Sequence, residues 1–396
     1  MNKLLATYDY IIAGGGMSGL SLGYYLSKSS LKDKTILIID KDAKNKNDHT
    51  WCFWEKDGNT FDEIVFKRWN KIWFHGTNNF SEVLELDNYE YKMIKGIDFY
   101  TFIIPFLKQN PNIHFLQADI LGVIGDDKKA TVKTSNGIFE ATEYAFDSQY
   151  KNTYNHPKNH NLKQHFLGWI IDTKQPVFTE KIPTLFDFRV DQKNECRFIY
   201  ILPENSQKAL IEFTIFSEKL IKKEEYEYYL KEYITQKLHI TDFTITKNQN
   251  NEIDEEYGII PMSDFLHDAM PYPHVIRIGT SGGFVKASSG YSFLKTQHLL
   301  QEIVADLEKN QFNKKHFNNN WKHFLDSVLL NVMLTNKAPS DEIFTAMFSK
   351  NKASAIFKFL DEESTLLEDI QMMKSLPTWA FTKGAISSIK RKLIGQ

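Results

Sequence analysis

A glycine cluster near the start constrains this chain more than any other feature. A short apolar run, YDYIIA at 8–13, ends directly in G-x-G-x-x-G, formed by Gly14, Gly16 and Gly19. In that pattern the first glycine permits a tight turn and the second lets a pyrophosphate approach the backbone. The third lets helix and strand pack closely. Met17, Leu20, Tyr24 and Leu26 then recur at helical spacing, and the apolar run TILIID at 35–40 completes a βαβ unit with a parallel strand pair. Asp40 ends that run 21 residues after Gly19, where a carboxylate can accept from ribose hydroxyls. The helix N-terminus offers free N–H groups and a partial positive charge to phosphates. The pattern predicts dinucleotide binding; the plain alternative is a tight glycine turn in an unrelated α/β fold. An ATP-type P-loop does not fit, because Leu20 stands where its lysine belongs.

Composition narrows the partners. With 48 Lys+Arg against 50 Asp+Glu, the net charge of −2 argues against a general nucleic-acid binder, whose affinity rests on clustered cations. Cys52 and Cys196 lie far apart, which leaves neither a disulfide framework nor a CxxC motif. Among the 12 histidines there is no HExxH, and no metal site is expected. The 30 Phe, 18 Tyr and 7 Trp stand out, and they fit either thick cores or a large apolar ligand. No run reaches the roughly 18 apolar residues of a membrane span, and glycines interrupt the N-terminal apolar stretch where a signal peptide would continue. A cytoplasmic protein is expected, with peripheral membrane contact left open.

Along the chain, 41–50 reads as a loop and 51–92 is rich in aromatic residues. Residues 96–109 read as a helix, while 113–118 and 130–147 read as strands with a turn at Asn136–Gly137. Strand-like segments fill 166–216, a charged helix covers 218–236, and nearly everything beyond 291 is helical. A second glycine cluster, GTSGG at 279–283, permits two readings. As G-x-S-x-G it is a hydrolase elbow with Ser281 as nucleophile, and His298, His316 or His323 completes a triad. Alternatively, the strand HVIRIG runs into a glycine turn whose N–H groups face a second phosphate or a flavin ring. The second reading is favoured, because a hydrolase gives no reason for the N-terminal fingerprint.

Several blocks in one order then become recognisable: AGGGMSGLSL, DHTWCFWE at 48–55, QHFLGW at 164–169, PTLFDFRV at 183–190, RFIYILP at 197–203, ALIEFTIFS at 209–217, YGIIPM at 257–262 and GTSGGFVKASSGYSF at 279–293. Together they resemble the lycopene cyclase family, and most closely its bacterial flavin-dependent β-cyclases. The resemblance implies a glutathione-reductase-like α/β fold in which an FAD-binding domain (1–50, 93–165 and 255–305) interleaves with an antiparallel-sheet substrate domain (51–92 and 166–254). A helical region, 306–396, follows. It also implies cyclisation of lycopene ends to β-ionone rings, via γ-carotene to β-carotene, with FAD in its reduced form and NAD(P)H as reductant. Cofactor contacts fall to Gly14, Gly16, Gly19, Asp40, Gly279, Thr280, Gly282 and Gly283. Thr280 stands where many flavoproteins carry an aspartate, a departure similar to the cyclases themselves.

Such a cyclisation needs a carboxylic acid still protonated near neutral pH, which an apolar pocket supplies. Glu212 is the candidate acid/base: in ALIEFTIF it alternates onto one strand face with apolar neighbours, and it matches the glutamate of the family's E-x-T motif; the plain alternative is a carboxylate on a solvated strand face. The resemblance makes Asp187 a second acid, with a structural role as the alternative. Arg197 supports one of these acids or is a surface cation. Trp51, Phe53 and Trp54 line a polyene channel or are plain core. Phe381, Ala385, Ile389 and Leu393, beside Lys383, Lys390, Arg391 and Lys392, read as a basic amphipathic helix able to lie on a bilayer or pack on its own domain. The rivals are an FAD-dependent hydroxylase, a carotenoid desaturase or ketolase, the Ser281 hydrolase, and a non-enzymatic flavin-binding redox sensor.

Overall fold

The βαβ unit read from the glycine fingerprint is the first thing the chain builds. The computed structural model describes residues 4–150, 159–247, 251, 253–313 and 320–394. His316 and the side chains of Lys392 and Leu393 lie outside the described residues. Strand β1 (Thr7–Ala13) leads into helix α1 (Met17–Lys28) and strand β2 (Ile36–Asp40). The aromatic stretch forms β3 (Thr50–Glu55), β4 (Lys67–Trp69), β5 (Lys71–His75), β6 (Ser81–Glu85) and β7 (Glu90–Lys95). Helix α2 (Gly96–Lys108) follows, and then β8 (Ile113–Gln117), β9 (Ile120–Gly125), β10 (Ala130–Thr134) and β11 (Gly137–Asp147). Next come β12 (Asn161–Thr173), β13 (Thr184–Asp187), β14 (Cys196–Pro203), β15 (Lys208–Ser217), α3 (Lys223–Glu232), β16 (Phe243–Ile245), β17 (Glu255–Ser263) and β18 (Val275–Arg277). Six helices close the described chain: α4 (Phe293–Glu308), α5 (Asn320–Leu334), α6 (Ser340–Lys350), α7 (Ala353–Leu360), α8 (Leu366–Ser375) and α9 (Thr378–Ile394).

A seven-stranded sheet runs β8-β2-β1-β11-β10-β9, with β18 also paired to β11. Its centre is parallel (β8, β2, β1, β11 and β18), and β9 to β11 form an antiparallel meander. As a central parallel strand must, β1 is buried on both faces. Tyr10 and Ile12 pack with Leu20, Ile103 and Leu300 of the helices, whereas Tyr8, Ile11 and Ala13 pack with Val123 and Val132.

The second sheet, eight-stranded, runs β16-β12-β15-β14-β13-β5-β6 with β17 on β12, and all of its pairs but β13–β5 are antiparallel. Strands β3, β7 and β4 form a small sheet of their own. Within 255–305, assigned from sequence to the cofactor domain, Glu255–Ser263 thus pairs in the second sheet, and Val275–Arg277 joins the first. Strand alternation gives the second sheet two apolar faces. Leu167, Trp169, Ile199, Ile211 and Phe213 pack under α3, against Tyr226 and Leu230. Phe198, Tyr200, Leu202, Leu210 and Phe216 face α5 to α9. The charged stretch read as one helix over 218–236 begins at Lys223 and ends in a π turn, Tyr233–Lys237.

Candidate active site

Both glycine clusters meet at the start of α1. Gly14 has φ +117°, and a Cβ there would lie 2.0 Å from Ser148 Oγ; a Cβ on Gly19 would lie 1.9 Å from the Gly14 carbonyl oxygen. These two positions need glycine for conformation and close approach. At Gly16 the space is open, with no protein atom within 4 Å of an added Cβ. Gly16 also caps α1 without a side-chain hydrogen bond, and the first turn of the helix carries no acidic residue. Free N–H groups and room for a phosphate therefore coincide. Asp40 Oδ2 accepts the Gly15 N–H at 2.7 Å and Oδ1 accepts the Asp42 N–H at 2.8 Å, so this carboxylate braces the loop and still keeps lone pairs for another donor.

The second cluster forms a tight turn, Gly279–Gly282, closed by Gly283 at φ +78°. Gly279 lies against Ser18 of α1, which brings the turn onto the first glycine loop. Ser281 is buried, and its hydroxyl donates to the Asp147 carbonyl at 2.7 Å. His267 Nδ1–H donates to the Ser281 carbonyl oxygen, not to its hydroxyl. Ser281 is thus committed to holding the turn on β11, which is not a nucleophile's geometry.

Beside this turn lies a cavity of about 380 Å³, whose wall includes Thr280, Gly290, Tyr291, Trp51, Cys52, Tyr91, Tyr200, Gln164, Glu212 and Glu256. The carboxyls come together through sheet register. Glu212 of β15 and Glu256 of β17 both pair with Gly168 of β12, one from each side, so the three share a face. Gly168 leaves room between them; a Cβ there would lie 2.9 Å from Leu210 Cδ1 and 3.4 Å from Glu212 Cβ. Tyr200 of β14 stands opposite Glu212 on its other side.

Glu212 is only partly covered, and it lines the cavity. Burial and the neighbouring Glu256 carboxyl push it up to about 8, against a single bond from Thr214 Oγ1 at 2.6 Å that favours its charged form. Glu256 is likewise raised by burial, although it accepts the Thr50 N–H at 2.7 Å. Two carboxyls with so few donors hold a proton through neutral pH. The remaining wall mixes aromatic rings with aliphatic and polar side chains. Tyr91, Tyr200 and Tyr291 are pushed up by burial and keep their phenol protons. Gln164 Oε1 and Ser289 Oγ are buried in this wall without a protein partner, as groups facing a polar ligand edge would be.

The structure does not bring every sequence candidate here. Asp187 pairs with Ile199, which puts it on the α3 face of the sheet, away from Glu212. It is fully buried; burial alone would raise its carboxyl, yet the Arg189 guanidinium and the Tyr233 hydroxyl hold it below the usual carboxylate range. Arg197 is on that face too, bonded to Glu195 and stacked 5.3 Å over Tyr229. Of the aromatic trio, Trp51 lines the cavity. Phe53 stacks on Phe293 with centroids 4.5 Å apart, and Trp54 stacks on Phe357 while its Nε1–H donates to Asp361. Those two are core. Sequence reading missed Glu256, which stands in an acidic stretch that reads as a solvated face.

The family described as lycopene cyclase protein matches residues 9–385. No curated protein sequence matches the chain. Among solved structures it is similar to a geranylgeranyl bacteriochlorophyll reductase-like protein from Thermoplasma acidophilum, with TM-score 0.65 and 12% identity over 95% of this chain and 98% of that one. A flavoprotein/dehydrogenase from Cytophaga hutchinsonii gives TM-score 0.60 and 11% identity over 93% and 99%. The halogenase PltM, in complex with phloroglucinol and FAD, gives TM-score 0.53 and 13% identity over 92% and 83%. What these three share with the chain is the fold.

Proposed function

This chain belongs to the lycopene cyclase family, and from that premise we propose that it is a lycopene β-cyclase, an isomerase that closes linear carotenoid ends into β-ionone rings. The observation that carries the proposal is Glu212: a carboxyl pushed up to about 8 by burial and Glu256, in the wall of the cavity beside the second glycine turn. Its O–H donates a proton to the terminal alkene of lycopene, giving a tertiary carbocation that the neighbouring double bond attacks. A proton then leaves the ring carbon, and the Glu212–Glu256 pair is the base at hand to take it. One proton enters and one leaves, so electrons and mass balance. The faces of Tyr91, Tyr200, Tyr291 and Trp51 offer cation–π attraction to the intermediate. Water would trap it as an alcohol, and Leu202, Leu210, Val285 and Phe293 are the apolar parts of the wall that would keep water away.

FAD fits the cradle on physical grounds: Gly14, Gly16 and Gly19 with the α1 N-terminus would hold its pyrophosphate, Asp40 its ribose, and Gly279, Thr280, Gly282 and Gly283 the rest of the molecule. In reduced form, with NAD(P)H as reductant, it would supply negative charge beside the cation, where a low dielectric makes such stabilisation largest.

A carotenoid dissolves in membranes, and none of the described helices is long and apolar enough to cross one. We place the protein in the cytoplasm with peripheral bilayer contact through α8 and α9, which expose Leu367, Trp379, Ile386 and Ile389 beside Lys383 and Lys390. Phe381 and Ala385 of the expected stripe turn inward instead.

Anaerobic incubation with lycopene in liposomes, FAD and NADPH, followed by chromatography with mass detection, tests the proposal. The expected product has lycopene's mass and β-ring retention, and Glu212→Gln lowers the rate by roughly 10²–10⁴-fold. A product of changed mass would instead indicate an FAD-dependent oxidoreductase of this fold.

A further inference from the structure

A second cavity, also about 380 Å³, lies between the second sheet and helices α5 to α9. Its wall is almost wholly apolar, with Phe186, Phe216, Leu329, Phe344, Met347 and Phe381 among the side chains. Voids larger than a water molecule are few in a packed core, and an apolar space of this size has the dimensions and lining of a ligand site. It shares Tyr200, Ser289 and Tyr291 with the cavity that holds Glu212, and Tyr200 and Tyr291 stand with hydroxyls 3.5 Å apart at that junction. Its wall also includes Ile370, Lys374 and Thr382, which are exposed on α8 and α9.

We propose that this second cavity binds the unreacted length of the linear polyene, so that the chain threads from the α8–α9 face past Tyr200 and Tyr291 and delivers its end to Glu212. The inference rests on the cyclase reading and adds to it the site for the remainder of the substrate. A linear terpenoid polyene is the occupant this lining suits. It is long, thin and without polar groups, so it brings no donor or acceptor of its own that would go unmet in a wall that offers few. Phenyl faces along the route supply contact with its π-system.

Filling the cavity tests this, with Leu329→Trp on α5 and Ala385→Trp on α9 as independent variants. Two substrates are compared: full-length lycopene, and a truncated apocarotenoid that has the same acyclic end but ends before the second cavity. Both variants are expected to lower kcat/KM for the full-length polyene by roughly tenfold and to leave the truncated one unchanged, which also shows that Glu212 and the fold are intact. Binding of the full-length polyene, followed by its absorbance shift, is expected to weaken in parallel. Undiminished turnover and binding of the full-length chain in both variants would overturn the inference, as would equal losses for the two substrates. Binding of a saturated fatty acid as tight as that of the polyene would also overturn it. If the wild type cyclises neither substrate yet binds the polyene, and both variants lose that binding, the cyclase reading fails while the cavity assignment stands.

Discussion

In the proposed reaction Glu212 and Glu256 would carry the chemistry at the scale of single residues, and they differ in how they could be read. Glu212 was legible, because in ALIEFTIF a lone carboxylate alternates among apolar side chains on a strand too apolar to be solvated. Glu256 was not, since its place beside Glu212 arises from two strands pairing on either side of Gly168, which is a long-range register. Its charge makes a prediction. Burial and Glu256 raise the Glu212 carboxyl to about 8, and the protonated form is the acid, so turnover holds below that pH and falls as pH rises through it. The groups facing the pair include Tyr91, Tyr200, Tyr291 and Cys52, all pushed up by burial, so none of them ionises in that window. Glu256→Gln removes the neighbouring negative charge and makes ionisation of Glu212 easier, so the alkaline limb should move to lower pH. A pH profile of kcat/KM checks it, and an unmoved limb would mean that Glu256 does not act on Glu212.

At the scale of elements, the βαβ unit was plain from local pattern, and the strands of the second sheet within 166–216 were plain from their aromatic and β-branched runs. What local pattern could not supply was parity. Between Thr184 and Asp187 the pairing of β13 with β14 shifts, and a bulge of this kind turns the next side chain to the other face. Asp187 therefore ends up under α3 rather than beside Glu212. Strand β9 went unread as well, because Leu121 and Ile124 point outward, 59% and 58% exposed, at the edge of the sheet. Bonds from Arg189 and from the Tyr233 hydroxyl on the π turn that ends α3 suit Asp187 to an anchoring role. Asp187→Asn should cost about 1.5–3 kcal/mol of stability, the scale of a hydrogen bond to a charged group. A lowered melting temperature with kcat/KM unchanged for the folded fraction is the expected result. Full stability with lost turnover would return Asp187 to the chemistry.

Considered whole, the molecule is a largely parallel sheet carrying the glycine loops and an antiparallel sheet that meet over one cavity, with a helical region that roofs a second. Sequence blocks up to Phe293 carried the family resemblance, and the family match extends across the helices to residue 385. The role of those helices was illegible, because amphipathic spacing in α9 does not say which apolar residues turn inward. Phe381 and Ala385 do, while Ile386 and Ile389 stay exposed. Sheets, glycine loops and helices together place Glu212, its carboxyl pushed up by burial and Glu256, in the wall of one cavity, and the central claim is that its protonated form starts ring closure by proton transfer. The most direct measurement is anaerobic cyclisation of lycopene in D₂O, with the product read by mass. Exchange of the Glu212 proton with solvent between turnovers predicts one deuterium per β-ring formed, and no such product from Glu212→Gln. Rings formed without deuterium, or formed at the normal rate by Glu212→Gln, would contradict it.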